Sequence, residues 1–243
     1  MRTINPRWML FAAFLLAAPL MATDRSGVLL TDEKAGATKE TKEIKKEQDD
    51  IMKRLVSGNK AHMQNLNRKH GIPHIMVVSC ADSRVPPEIV FHMQAGELYT
   101  VRAYGNIVDQ DILASLEYGV EHLNARVIVV LGHTDCTALK DAIDEHQHPR
   151  TEWRSLNQKA LYEKLEPAVA EVEHSQKISE ARNGNHLEGG AFWDAVVRTN
   201  ILSTMHVIRE QSPTIWQAEN NDTIKIVGCI YHLENGKIEW IKE

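Results

Sequence analysis

Cysteine is scarce in this sequence, with three in 243 residues: Cys80, Cys136 and Cys229. An odd and small number excludes the dense disulfide framework by which small secreted domains hold themselves together. At least one thiol has another job or none. An excess of positive charge is also lacking. The formal net charge is -5 and the pI is near 6.2, so there is no basic footprint for nucleic acid. No repeat of 20–50 residues is visible, which excludes solenoid and propeller architectures. Nor is there an apolar run of the ~20 residues that a bilayer span requires. The longest, from Trp8 to Met21, follows Arg2 and Arg7 and precedes small residues around Ala22. That order reads as a secretory signal, residues 1–22, removed on export to the periplasm or the exterior. A retained N-terminal anchor is the alternative. After cleavage no stable membrane insertion is expected.

What the sequence does have is ordinary globular composition, 43% hydrophobic and 25% charged. Residues 23–38 are polar and read as a disordered linker. From Lys39 to about Leu66, Ile44, Ile51, Leu55 and Val56 recur at helical spacing on a charged background, a helical N-terminal arm. The short run Ile75–Val78 is apolar at every position, Leu98–Val101 and Val127–Leu131 are similar, and Ile224–Ile230 is a fourth apolar run. They suit strands buried on both faces. A helical pattern at Ile112–Leu123 separates two of them. The segment 137–220 is mostly helical in pattern, divided by Pro149, Pro167 and the Asn183–Gly190 stretch. A last short strand, Lys237 to Ile241, follows Asn235-Gly236, a two-residue hairpin signal. The reading is one α/β domain over 39–243. Its four mostly parallel strands and one antiparallel C-terminal strand are flanked by helices.

Ligands in open α/β sheets sit beyond the carboxyl ends of strands. The first apolar strand ends in Cys80-Ala81-Asp82-Ser83-Arg84 and the third in Gly132-His133-Thr134-Asp135-Cys136. Two thiols and an imidazole are a zinc donor set, and three protein ligands leave a fourth position open. Each element alone has a plainer explanation. A strand-end Cys is commonly a small buried hydrophobe, and Asp82 with Arg84 is equally a surface ion pair. Cys229, inside an apolar strand, reads as packing. His146 and His148 read as lying in a polar loop and show no ligand spacing to a carboxylate partner.

The two motifs together resemble the β-carbonic anhydrase family. So do Val85-Pro86-Pro87-Glu88, Gly96-Glu97-Leu98, Arg102 with Gly105-Asn106, Ser115-Leu116-Glu117-Tyr118, Val130-Leu131-Gly132-His133 and the ending Gly228, Tyr231, Gly236. The resemblance spans about Ile51 to Trp240. It implies one zinc per chain on Cys80, His133 and Cys136, and Asp82 with Arg84 as a catalytic dyad. The activity it implies is that of a lyase, hydrating carbon dioxide reversibly through zinc-bound hydroxide. It further implies a homodimer or a multiple of dimers. Three positions depart from the family pattern: Gly71 for a glutamine, Tyr104 for a small or aliphatic residue, and Thr137 for a glycine. With Tyr99 and Tyr118, which fall where the family has aromatics, they are the expected lining of the substrate pocket. The altered pocket keeps two alternatives open: a zinc enzyme of the same fold acting on carbon disulfide or carbonyl sulfide, and a non-catalytic zinc-binding member.

Overall fold

The computed structural model describes residues 31–64, 72–183, 187 and 189–242. The segment read as a signal, and Gly71, lie outside the described residues. The chain divides into two units, residues 1–66 and 67–243.

Among its described residues the first unit holds one helix, α1 (Thr31–Gln64). It begins eight residues before the Lys39 expected from apolar spacing. Residues 31–38 carry no apolar stripe, but Glu33, Lys34, Ala35 and Ala37 are good helix formers, so propensity extends what periodicity cannot see. Ile44, Ile51, Leu55 and Val56 are exposed along α1.

The second unit is a five-stranded sheet in the order β2-β1-β3-β4-β5, from β1 (Ile75–Cys80), β2 (Leu98–Ala103), β3 (Val127–His133), β4 (Lys225–Tyr231) and β5 (Ile238–Trp240). The first four strands are parallel and β5 is antiparallel to β4. The central strands β1 and β3 are buried at every position after their first residue, which is why their runs lack alternation. Met76, Val78, Ile128 and Val130 join the larger core cluster, while Val77, Val129 and Leu131 join a smaller cluster with Cys229. Each such side chain contributes about 1.5–3 kcal/mol by leaving water.

The helices are α2 (Pro87–Val90), α3 (Gln110–His122), α4 (Thr137–Gln147), α5 (Leu156–Asn183), α6 (Gly190–Gln211) and α7 (Pro213–Asn220). Asp109 caps α3 by accepting from the Ile112 N–H at 3.0 Å. On β3, Gly132 lets α6 come close: a Cβ there would lie 2.6 Å from Ile201 Cδ1.

Two boundaries differ from the sequence reading. Pro167 lies inside α5 rather than dividing it. It removes one helical hydrogen bond, but Leu165, Ala168, Val169 and Val172 around it are buried and hold the helix to the core. The connection from β4 to β5 spans residues 232–237, not two residues. Gly236 N–H donates to the His232 carbonyl at 2.8 Å, and His232 N–H donates to that of Lys237 at 2.9 Å. Gly236 has φ 74, the left-handed conformation for which glycine is suited.

Candidate metal centre

The chain runs from β1 to β2 on one side, then returns to place β3 on the other side of β1. That reversal opens a crevice at the carboxyl ends of β1 and β3. Cys80 ends β1, His133 ends β3, and Cys136 sits at the N-terminus of α4. All three are buried, and one ligand atom from each lies within 4.8 Å of the others. The two sulfurs are 4.0 Å apart. Two thiolates on one tetrahedral zinc, each bonded at ~2.3 Å, stand roughly 3.8 Å apart.

The atoms around these groups are arranged for ligation. His133 Nδ1 lies 2.9 Å from the Thr134 carbonyl, which can only accept, so Nδ1 carries the hydrogen and Nε2 keeps a free lone pair. Nε2 is buried without a hydrogen-bond partner among the described residues. An orphaned imidazole nitrogen is costly unless something binds it, and a metal ion does. Cys80 Sγ accepts from the Asp82 N–H at 3.4 Å and the Gly105 N–H at 3.3 Å. Its thiol is pushed down, first by the hydrogen bond from Cys136, then by His133 and these two amides, against the effect of burial. Cys136 is pushed up by that same contact with Cys80 and by burial. Of the two sulfurs, Cys80 is the one that backbone N–H groups favour as a thiolate. The two thiols and the imidazole fit one zinc ion.

Beside the ligands lies a bidentate ion pair. Arg84 Nε donates to Asp82 Oδ1 at 3.0 Å and Nη2 to Oδ2 at 2.6 Å. The Arg84 side chain holds the Asp82 carboxyl at about 2, below the usual carboxylate range. Asp82 Oδ2 is 4.0 Å from His133 Nε2, so the carboxylate borders the space on which the ligand atoms converge. Arg84 also reaches across to the β3 loop, donating to Asp135 Oδ2 at 3.0 Å and the Asp135 carbonyl at 3.1 Å. Asp135 is in turn paired with Lys140. Arg102 donates to the Cys80 carbonyl at 2.9 Å and to that of Asp82 at 2.6 Å, bracing the loop after β1.

Residues 75–238 match the carbonic anhydrase family pattern. The chain belongs to the β-carbonic anhydrase family. It is 30% identical over 195 residues to a carbonic anhydrase of Mycolicibacterium smegmatis, covering 76% of this chain and 86% of that one. It is 31% identical over 175 residues to one of Pseudomonas aeruginosa, covering 69% and 72%. Its fold resembles that of a tetrameric β-carbonic anhydrase of Sordaria macrospora, with TM-score 0.61 and 19% identity over 84% of this chain and 98% of that one.

As a β-carbonic anhydrase, the chain shows several features that its sequence did not disclose. The ties from Arg84 to Asp135 and from Arg102 to two carbonyls join residues from separate motifs. Their only sequence signal was membership of those motifs. Among the positions expected to line the pocket, Thr137 is exposed and opens α4 directly after Cys136. Tyr104 donates its hydroxyl to Asp141 Oδ2 on α4 at 3.0 Å. Tyr99 pairs with Met76 in the sheet, about 13 Å along the strand from the level of Cys80 at ~3.3 Å per residue. Tyr118 is exposed, its ring centroid 4.8 Å from that of His122. His146, read as a loop residue without ligand spacing to a carboxylate, lies instead in the last turn of α4 and has two carboxylate partners. Its ring nitrogens lie 3.1 Å from Glu166 and 3.2 Å from Glu173, both on α5, a pairing 20 and 27 residues distant that no local spacing reveals. Cys229 is fully buried and burial pushes its thiol up to about 12.

Proposed function

We propose that this chain catalyses the reversible hydration of carbon dioxide to bicarbonate and a proton. In this reading Cys80, His133 and Cys136 hold one zinc ion, and Asp82 with Arg84 orients the attacking group. The observation that carries it is the orphaned, buried His133 Nε2 facing two cysteine sulfurs and the Asp82 carboxylate. The two bacterial relatives named as carbonic anhydrases support the substrate.

Zinc bound there supplies a Lewis acid that generates a hydroxide nucleophile near neutral pH. The chain's own residues do the positioning. Arg84 donates from its backbone N–H and Nε to Asp82 Oδ1 and from Nη2 and Nε to Oδ2, and so fixes the carboxylate plane. Asp82, ionised, can only accept. It holds the hydrogen of the attacking group on Oδ2 and leaves that group's lone pair toward the substrate carbon. Burial of both sulfurs and the imidazole keeps bulk water from competing for the ligands. A stopped-flow assay of carbon dioxide hydration on the zinc protein tests the reading. Full zinc occupancy with no hydration above background would overturn it.

The proposal extends to location and assembly. Arg2, Arg7 and the apolar run to Met21 support an exported enzyme, checked by N-terminal sequencing of the mature chain from a periplasmic fraction. The exposed stripe of Ile44, Ile51, Leu55 and Val56, and the tetrameric Sordaria macrospora relative, support a dimer or a multiple of dimers. A monomer by light scattering at micromolar concentration would contradict that.

A further inference from the structure

Tyr104 stands where the family has a small or aliphatic residue, and the structure gives its hydroxyl a definite partner. It donates to Asp141 Oδ2 at 3.0 Å, and Tyr162 donates to the same oxygen at 3.4 Å. The two phenols differ in what they are attached to. Tyr162 belongs to α5. Tyr104 opens the tight turn Tyr104–Asn106, whose next residue, Gly105, directs its N–H at Cys80 Sγ. Asp141 lies on α4, the helix whose N-terminus carries Cys136. Burial and the Asp141 carboxylate both push the Tyr104 phenol up, so it remains a donor throughout the working range. The turn also packs on Ala138 of α4 and Leu165 of α5, and its other hydrogen bonds come from α6, where Asn200 donates to the Gly105 carbonyl at 3.0 Å and Thr204 to that of Asn106 at 3.4 Å. Those hydrogen bonds hold its carbonyl side but make no link to the Cys136 helix.

We propose that Tyr104, acting through Asp141, is a positioning residue for the metal centre: it locks the turn that presents the Gly105 N–H to Cys80 onto the helix that presents Cys136, and so sets how tightly the two thiolates retain zinc. The inference rests on the zinc reading above. A hydrogen bond to a ligating sulfur stabilises the thiolate, and loss of such outer contacts typically weakens metal binding ~10–100-fold. Because the Asn200 and Thr204 contacts remain, the lower end applies.

The test uses the full-length zinc protein and measures zinc release into a chelating dye, 4-(2-pyridylazo)resorcinol, together with the thiolate-to-metal absorption of the cobalt(II)-substituted protein. Tyr104→Phe keeps the ring and removes only the donor. It is expected to release zinc about 10-fold faster than wild type and to shift the cobalt band. Asp141→Ala should match it, and Asp141→Asn, which retains an acceptor for Tyr104, should restore release to near the wild-type rate. Tyr162→Phe removes a hydrogen bond to the same oxygen without touching the Gly105 turn, and should leave both readouts near wild type. Release from Tyr104→Phe at the wild-type rate would overturn the inference, as would equal acceleration in Tyr162→Phe, which would mean only general loosening. A wild-type protein that holds no zinc would overturn the zinc reading and this inference together.

Discussion

Arg84 joins the two loops that carry the metal ligands: it grips Asp82 on the β1 side and, through Nη1 at 3.0 Å, Asp135 on the β3 side. Asp135 has φ 56, a left-handed conformation that asparagine also tolerates. Asp135→Asn therefore isolates the charge from the backbone. It should retain zinc, because no ligand is altered, while carbon dioxide hydration falls several-fold, about 1 kcal/mol for removing the charge from a solvated ion pair. Arg84→Ala, which also frees Asp82, should retain zinc and lose most activity. Metal analysis beside stopped-flow rates checks both, and an unchanged rate in Arg84→Ala would remove the dyad role.

Replacing Cys80 or His133 by alanine takes away one of three protein ligands. Each variant should purify with little zinc, measured by mass spectrometry of the metal. Full occupancy in either would show the ion to be held elsewhere.

The Cys80 and Cys136 sulfurs stand 4.0 Å apart, against an S–S bond of ~2.05 Å, so a small movement joins them once the metal is gone. With zinc chelated, glutathione disulfide should convert the pair to a bridge. One thiolate attacks the glutathione disulfide and releases one glutathione; the other displaces the second. Zinc alone should then fail to restore activity, whereas dithiothreitol followed by zinc should succeed. Peptide mass spectrometry should find Cys80 linked to Cys136 and Cys229 still a free thiol, since it packs in the smaller core cluster and the other two in the larger. Full recovery with zinc alone would mean the scaffold holds the two sulfurs apart.

The pH profile should show a single step. Asp82 is held at about 2, so its carboxylate is charged at every pH from roughly 5 to 9 and adds no titration there. A depressed carboxylate contributes stability above its ordinary ~3.9 and loses that contribution only as pH falls toward 2. Hydration should thus rise once with pH, as the nucleophile forms, and Asp82→Asn should lower the plateau while keeping a single step, whose midpoint falls because a negative charge beside the site is gone. A second step in the wild-type profile that Asp82→Asn abolishes would assign a titration in this range to Asp82.

Gly105→Ala should destabilise the fold by about 2 kcal/mol, since φ 75 costs an alanine ~1–2 kcal/mol and its Cβ would lie 2.9 Å from Leu165 Cδ2. Thermal unfolding measures it. No shift in midpoint would mean that the turn relaxes away from α5.

The sequence by itself determined the strands and the donor set. Runs apolar at every position have one economical fate, burial on both faces of a parallel sheet, and β1 and β3 meet it. Cys80, His133 and Cys136 were legible because their chemistry is rare and they stand at, or within three residues of, strand ends. The limits of α1, the uninterrupted course of α5 through Pro167 and the six-residue approach to β5 were not legible. Propensity, core burial and turn hydrogen bonds decide those, and none leaves a periodic trace. The tertiary structure alone decided that β3 lies beside β1 rather than beyond β2, since strand order depends on how the crossover helices pack and not on any one strand. That placement brings the sulfur of residue 80 within 4.0 Å of the sulfur of residue 136. It also lets Arg84 meet Asp135, Tyr104 meet Asp141 and His146 meet two glutamates, because side-chain contacts between distant segments exist only once the backbone has brought those segments together.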